Sequence, residues 1–185
     1  INDTSRLSNM SLRIDRGPPA TVAGKCEVSM PHLTKSRFLS GLQCHRRLWL
    51  ATHAPELASP RSDATEHILR MGTEVGRAAH ALFPGGLLIS SQASDHADAI
   101  EQTRAAMDDP SIPAIFEAAF EFAEVRIRVD ILERLENDAW GLREVKSASS
   151  FKPDQHGPDL AIQRWVLEQL GIAVASVQLV HVNRA

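Results

Sequence analysis

The sequence predicts an α/β fold in which helices cover the faces of a mixed β-sheet. Helical segments precede three consecutive strand-like segments, and one more helix and one more strand follow them. Strands joined by short turns pair as an antiparallel meander, whereas a strand, a helix and a strand in succession place their strands parallel, with a right-handed crossover. Together the two patterns give one sheet that contains both kinds of pairing.

Composition sets the broad class of the protein. A chain of 185 residues with 43% hydrophobic residues is typical of one globular domain. The net charge of -3 lacks the overall basic character of many nucleic-acid binders, although a local basic stripe is enough for binding. No apolar run approaches the roughly 18 residues of a membrane helix. The two cysteines do not form a disulfide framework, so we expect a reduced, cytoplasmic protein without a membrane partner.

The first 30 residues are polar and have no sustained periodicity. They are interpreted as a disordered tail or as leftover upstream or expression-derived sequence, and residues 31–185 as the folded domain. Because the sequence stops abruptly after Arg184, we expect this domain to be the N-terminal part of a longer protein with further domains.

The first helix is predicted to begin at Lys35, with Thr34 as its N-cap. Ser40 and Gly41 predict a bend or a split. The buried stripe is assigned to the large apolar side chains, which are Phe38, Leu42 and Trp49.

The next helix is predicted from a cap at Ser62 or Asp63 to about Phe83. Gly72, Gly76 and His80 recur at steps of four, so they share one helix face. Two glycines cost helix stability, and this predicts close approach of another element to that face.

The remaining elements alternate between strands and helices. Short strand 87–89 precedes a helix that Ser94 caps and that ends near Asp108, and strand 114–122 follows. A polar loop over 147–158 leads into a helix predicted from about Asp159 to Gly171. The last strand, 174–182, is interpreted as a central strand.

Two strands between these elements carry the chemistry. Segment 125–132 alternates apolar and charged residues, which places Asp130 on the polar face, and the return strand spans 140–147. Glu144 and Lys146 are two residues apart and share a face. If the strands pair as a hairpin, two carboxylates and an ammonium meet on one surface, and this set suits a hard cation such as Mg²⁺.

This arrangement, Asp130 followed by Glu144-Val145-Lys146, resembles the active-site motif of the PD-(D/E)XK nuclease superfamily. The flanking segments are similar to RecB-like nuclease domains of an uncharacterised bacterial family, and more distantly to CRISPR-associated exonucleases that carry an iron–sulfur cluster. The resemblance covers roughly residues 33–184. It implies a restriction-endonuclease-like fold, with a mixed sheet flanked by helices. The similar segments are 35–50, 72–86 and 159–163.

The resemblance also implies roles for individual residues. Asp130, Glu144 and the carbonyl of Val145 would hold Mg²⁺ or Mn²⁺, and Lys146 would orient or activate the attacking water. His80 would join the shell of the ion, with a half-buried packing histidine as the alternative. Gln163 would orient substrate or water. The tyrosine that often follows this glutamine is absent, and Trp165 is interpreted as a core residue.

Basic residues provide the expected contacts to nucleic acid. Within the resemblance, phosphate contact is favoured over a solvated helix face for Lys35, Arg46, Arg47 and Lys152. Cys44 lies where the cluster-bearing relatives place their first cysteine. No cysteine follows it, so we expect no iron–sulfur cluster and interpret Cys44 as a packed core residue. Glu117 is a candidate for a supporting role, with an exposed glutamate or one paired with a neighbour such as Arg128 as the alternative.

The sequence therefore predicts a metal-dependent nuclease that acts on DNA rather than RNA. The alternative is a non-catalytic nucleic-acid-binding or scaffolding module that retains the nuclease fold. The presence of Asp130, Glu144 and Lys146 together favours the enzyme, whereas the missing tyrosine and the missing cluster cysteines favour the module. A third possibility is that the match arises by chance and the chain is an ordinary α/β domain.

Overall fold

A six-stranded mixed β-sheet forms the centre of the computed structural model, which describes residues 32–89 and 96–183. Its strands are β1 (Leu33–Thr34), β2 (Leu87–Leu88), β3 (Ala114–Phe122), β4 (Val125–Arg134), β5 (Trp140–Lys146) and β6 (Val174–His181). The order is β2-β3-β4-β5-β6, and β1 also pairs with β4. The expectations for the first 30 residues and for the Ser94 cap lie outside the described residues.

The pairing directions confirm the predicted mixed α/β fold. Strands β3, β4 and β5 form an antiparallel meander, whereas β5 and β6 are parallel and are joined through a helix. Strands β2 and β1 add parallel pairs with β3 and β4. Strand β6 lies at one edge of this order, so the interpretation of the last strand as central was wrong.

Five α-helices surround the sheet in the described part of the chain. They are α1 (Lys35–Gln43), α2 (His45–His53), α3 (Asp63–Ala79), α4 (His96–Asp108) and α5 (Pro153–Gln169), with 3-10 turns at Pro55–Leu57 and His80–Leu82. Two predicted caps are confirmed, because the hydroxyl oxygens of Thr34 and Ser62 accept the N–H groups of Arg37 and Thr65. None of these helices has the length and apolar character that a membrane crossing requires.

The main core lies where α4 and α5 pack on the sheet. Strand β4 alternates buried and half-buried residues from Val125 to Asp130, as its sequence predicts. The core cluster includes Ala99 and Ala106 of α4 and Val166 and Leu167 of α5.

The N-terminal helices differ from their predicted form. The helix is split, but at Cys44, three residues after Gly41. Leu42 is 57% exposed and Trp49 is 58% exposed, so neither forms part of a buried stripe. Cys44 is also exposed, so the prediction of a packed core cysteine was wrong. No residue of α2 is buried against the described part of the chain, so Cys44 at the start of this helix does not pack in a core there.

Helix α5 begins at Pro153, six residues before its predicted start. Proline is favourable at the first helical position, and the ring nitrogen Nδ1 of His156 accepts the Lys152 N–H at 3.1 Å, which closes the first turn. Trp165 on this helix is 39% exposed and meets Phe122 edge-on, so it is only partly a core residue.

The glycines of α3 do not provide a close approach. A Cβ atom added at Gly72 or at Gly76 would meet no atom within 4 Å. The explanation of these glycines by tight packing was therefore wrong.

Candidate functional site

The candidate site lies at a gap along one edge of β4. Strand β3 pairs along nearly the whole of β4, so β1 and β5 must share the opposite edge. Strand β1 ends opposite Arg126 and β5 begins to pair at Ile131, which leaves residues 127–130 of that edge without a partner strand. The gap brings together the end of β1, the end of β5 and the start of α5.

Asp130 occupies this gap, one residue before the pairing with β5 begins. Its Oδ2 accepts the backbone N–H of Val145 at 2.7 Å. In an extended strand, the N–H and C=O of one residue point to the same side, so the carbonyl of Val145 is also directed toward the gap. The structure therefore places the carboxylate of Asp130 beside the main chain of Val145, the residue whose carbonyl the resemblance assigns to the ion.

Glu144 is the most connected residue of the site, and its side chain is 1% exposed. Lys35 Nζ lies 3.1 Å from both of its carboxylate oxygens. Lys146 Nζ donates to Oε1 at 2.5 Å, and the amide of Gln163 donates to Oε2 at 2.7 Å. Three donors from three separate elements thus hold one buried carboxylate.

Asp159 adds a third carboxylate that the sequence interpretation did not assign to the site. Its Oδ2 accepts from Lys146 Nζ at 2.7 Å, and its Oδ1 lies 3.5 Å from Lys35 Nζ. Gln163 donates to the same Oδ1 at 3.0 Å. The available signal was the spacing of four residues between Asp159 and Gln163, which places both on one face of a helix.

The carboxylates and ammonium groups of the cluster alter one another's pKa values. Burial raises the pKa values of Asp130 and Glu144, and the ammonium of Lys35 only partly offsets this effect. Burial also acts to raise the pKa of Asp159, but Lys35 and Lys146 outweigh it and the net pKa is lowered. Burial acts to lower the pKa values of both lysines, and the carboxylates outweigh it, so both net pKa values are raised. The lysines are therefore charged at neutral pH.

Gln163 lies fully inside the site. Gln163 is 0% exposed, and its side-chain hydrogen bonds in the described structure run through Nε2. Its buried Oε1 has no hydrogen-bond partner among the described residues. An unsatisfied buried acceptor is costly, and it marks a point where a bound donor would be stabilised.

Glu117 flanks the cluster on the other side of Asp130. The β3–β4 pairing is interrupted at the position opposite Asp130, between Phe116 and Ala118. Glu117 occupies that position with a φ of 58°, in the left-handed region that favours glycine. Burial raises the pKa of its carboxyl, with Arg128 acting in the opposite direction. The supporting role expected of Glu117 remains a prediction.

The structure does not bring His80 to the carboxylates. Its ring stacks on Phe116, with the ring centroids 3.9 Å apart. Phe116 pairs with Ile131, the neighbour of Asp130, and neighbouring strand residues point to opposite faces of the sheet. Burial and Arg77 lower the pKa of His80, and no carboxylate contributes to it. The end of α3 therefore packs on the face of the sheet opposite Asp130. This placement corresponds to the alternative, a half-buried packing histidine.

The basic residues separate into two groups. Lys35 follows β1 and Thr34 directly, and its side chain lies in the gap rather than on an open surface. Its ammonium contacts three carboxylates there instead of the expected phosphate. Arg46, Arg47 and Lys152 are exposed, as phosphate contacts require. The two arginines line a groove of about 660 Å³, together with Cys44 and Arg61.

The donor set fits a hard divalent cation. Mg²⁺ is usually held by one or two carboxylates and keeps several waters, and Asp130, Glu144 and the Val145 carbonyl offer only oxygen atoms. In the described part of the chain, no three His, Cys, Asp or Glu side chains converge as a complete set of metal ligands. The ammonium of Lys35 lies within 4.0 Å of Asp130, Glu144 and Asp159 and bridges the three carboxylates.

Comparison of the chain with models of protein families finds no match, and comparison with curated proteins finds none either.

Proposed function

We propose that the chain is a magnesium- or manganese-dependent nuclease that hydrolyses phosphodiester bonds in DNA. The observation that carries this proposal is the convergence of Asp130, Glu144 and Lys146 at one gap in the sheet. The buried carboxylate of Glu144 and the half-buried carboxylate of Asp130 can hold a cation, and the ammonium beside them suits the stabilisation of an anionic phosphoryl group. The proposal agrees with the resemblance of this motif to PD-(D/E)XK nucleases.

Each residue has a role in the proposed reaction. Asp130, Glu144 and the carbonyl of Val145 would hold the ion. When bound, a divalent cation polarises the phosphodiester and lowers the pKa of water. Lys146 is fixed by two carboxylates, so its ammonium is positioned to orient the attacking water and to offset the charge that develops on the phosphate. Gln163 holds Glu144, and its free Oε1 is available to accept a hydrogen bond from water.

The proposed partner is DNA, bound through its phosphates. Arg46, Arg47 and Lys152 are exposed cations close in sequence to the elements that form the site. Phosphate contacts of this kind position a duplex without reading its sequence. We propose that the activity is cytoplasmic and uses no iron–sulfur cluster.

A non-catalytic nucleic-acid-binding module is the second candidate. Lys35 and Lys146 contact the carboxylates to which an ion would bind. This arrangement is expected of a site that binds no metal. Such a module would bind DNA with the same affinity in the presence and absence of divalent ions, and would not cut it.

The proposal is tested by incubating labelled DNA, and RNA in parallel, with the purified chain. We expect cleavage of DNA with Mg²⁺ or Mn²⁺ and none after chelation. Asp130→Ala and Lys146→Ala should each abolish cleavage, while Glu168→Ala, a change at an exposed surface pair, should not. Circular dichroism confirms that the variants are folded. Parental cleavage by both site variants would contradict the assignment, and metal-independent binding without cleavage would favour the module.

A further inference from the structure

The position of Lys35 within the site has a second consequence. Its Nζ lies 3.1 Å from both oxygens of Glu144, 3.5 Å from Asp159 Oδ1 and 4.0 Å from Asp130 Oδ1. The ammonium therefore bridges all three carboxylates. It occupies the space between the two residues proposed to hold the ion, whereas Lys146 contacts only Glu144 and Asp159.

The charges of the cluster show what Lys35 contributes. The net charge of three ionised carboxylates and the ammonium of Lys146 is -2. The ammonium of Lys35 brings the net charge of the cluster to -1. Among the described residues, Lys35 is the one cationic side chain within 4.0 Å of Asp130. If Lys35 is absent from the cluster, a divalent cation brings its net charge to zero. If Lys35 stays, the same cation leaves a net positive charge beside the ammonium. The two cations therefore compete for the same oxygens.

Lys35 can leave the cluster without unfolding the site. It is the first residue of α1, and its backbone is held by the Thr34 cap and by the short strand β1. Its side chain is still 22% exposed, so a path to solvent is open. A lysine ammonium lies at the end of a flexible stem of four carbons, and a change of side-chain rotamer is enough to withdraw it.

We propose that Lys35 is an internal counter-ion that a divalent cation displaces, so that this residue sets the metal affinity of the site. The inference rests on the proposed metal-dependent function. In the metal-free protein Lys35 holds the three carboxylates together. In the loaded protein its ammonium is released from Glu144 and Asp130. Removal of the Lys35 charge should therefore strengthen metal binding, although it removes favourable contacts from the metal-free state.

The test is a calorimetric titration of Mn²⁺ into the parental chain, into Lys35→Met and into Arg104→Met. Arg104 is exposed on α4, so its replacement removes the same charge away from the site. We expect Lys35→Met to bind Mn²⁺ at least about tenfold more tightly, the scale on which neighbouring groups alter metal affinity. Arg104→Met should bind like the parental chain. Thermal unfolding in chelator should show Lys35→Met less stable than the parental chain, with a larger gain in Tm on addition of Mn²⁺.

If Lys35→Met does not fold without metal, Lys35→Gln replaces it, since the amide keeps a donor for the carboxylates and loses the charge. The inference is supported if the Lys35 variant binds Mn²⁺ more tightly than the parental chain. It is also supported if the variant binds Mn²⁺ and the parental chain does not. Equal or weaker binding by the variant, when the parental chain binds Mn²⁺, overturns the inference and leaves the proposed function intact. Absence of binding in every protein overturns both.

Discussion

Glu144 shows at the scale of one residue how the site is held together. Its carboxylate accepts from Lys35, Lys146 and Gln163, and it is buried. A buried carboxylate is stable only when such donors compensate for the loss of water. Burial raises its pKa, and this shift is a property of functional sites as well as of structural ion pairs.

His80 provides a prediction that separates packing from metal binding. We expect His80→Ala to lower Tm by about 2–4 °C, because the lost ring stacking on Phe116 is worth about 1 kcal/mol. The dependence of cleavage and of Tm on Mn²⁺ concentration should not change.

His67→Ala is the matched control for this variant, since His67 is exposed on α3. It should leave both properties unaltered. A His80→Ala protein with parental stability and a raised manganese requirement would return His80 to the metal site.

Which residues meet could be predicted only where the contact is local. Asp130, Glu144 and Lys146 converge because strand alternation and one turn are enough to bring them together. Lys35 and His80 were placed incorrectly, because their positions depend on which face of the sheet receives each helix. No periodicity in a single helix specifies that choice. Asp159 was missed because its two lysine partners, Lys35 and Lys146, lie on other elements, although Gln163 lies on the same helix.

At the scale of the element, α5 carries two residues of the site and contains an unfavourable proline. Pro158 lies in the second turn, where it has no N–H to donate to the carbonyl of Asp154. Pro153, in contrast, lies at the first helical position, where the missing N–H has no cost.

The two prolines allow a controlled prediction. We expect Pro158→Ala to raise the free energy of unfolding by about 1–2 kcal/mol, since the restored helical bond outweighs the greater entropy of the unfolded chain. Pro153→Ala should leave the stability unchanged or lower it. Urea unfolding measures both variants. A Pro158→Ala protein that is less stable than the parental chain would show that the proline fits its helix.

Elements whose sequence shows a clear pattern of apolar and polar residues were predicted well. Strand β3, for example, spans the predicted residues. The start of α5 was not, because the bond that closes its first turn is made by the side chain of His156. Strand β1 has two residues and thus no pattern, yet its pairing with β4 defines one side of the gap. Contacts between elements that are distant in sequence supply this information, and a local pattern does not.

For the whole molecule, the distribution of charge matters more than its sum. The chain has a net charge of -3, but Arg46, Arg47 and Arg61 line one groove. A local cluster of this kind attracts phosphates even on an acidic protein.

This surface gives a prediction for DNA binding. The double variant Arg46→Ala/Arg47→Ala should bind DNA more weakly, and the slope of log K against log salt should fall by about 2, since each lost phosphate contact removes about one unit. The matched control is Arg104→Ala/Arg164→Ala, which removes two exposed arginines elsewhere. Fluorescence anisotropy over a range of salt concentrations measures the slopes. Equal loss in both double variants would remove the groove from the proposed interface.

The α/β fold as a whole could be predicted because the order of elements restricts the topology. The exposed apolar residues of α2 and α3 could not, since their periodicity is that of a helix packed against a core. Trp49 of α2 and Ile68 of α3 are both more than half exposed. The sequence pattern specifies an apolar face but not the element that covers it.

The central claim is tested most directly by Glu144→Gln, which preserves the size of the side chain and removes its charge. The measurement is the single-turnover rate of DNA cleavage at saturating Mg²⁺, with Glu168→Gln as the surface control. We expect no detectable cleavage by Glu144→Gln and the parental rate for the control, with both proteins folded. Cleavage by Glu144→Gln at the parental rate would contradict the assignment of the site.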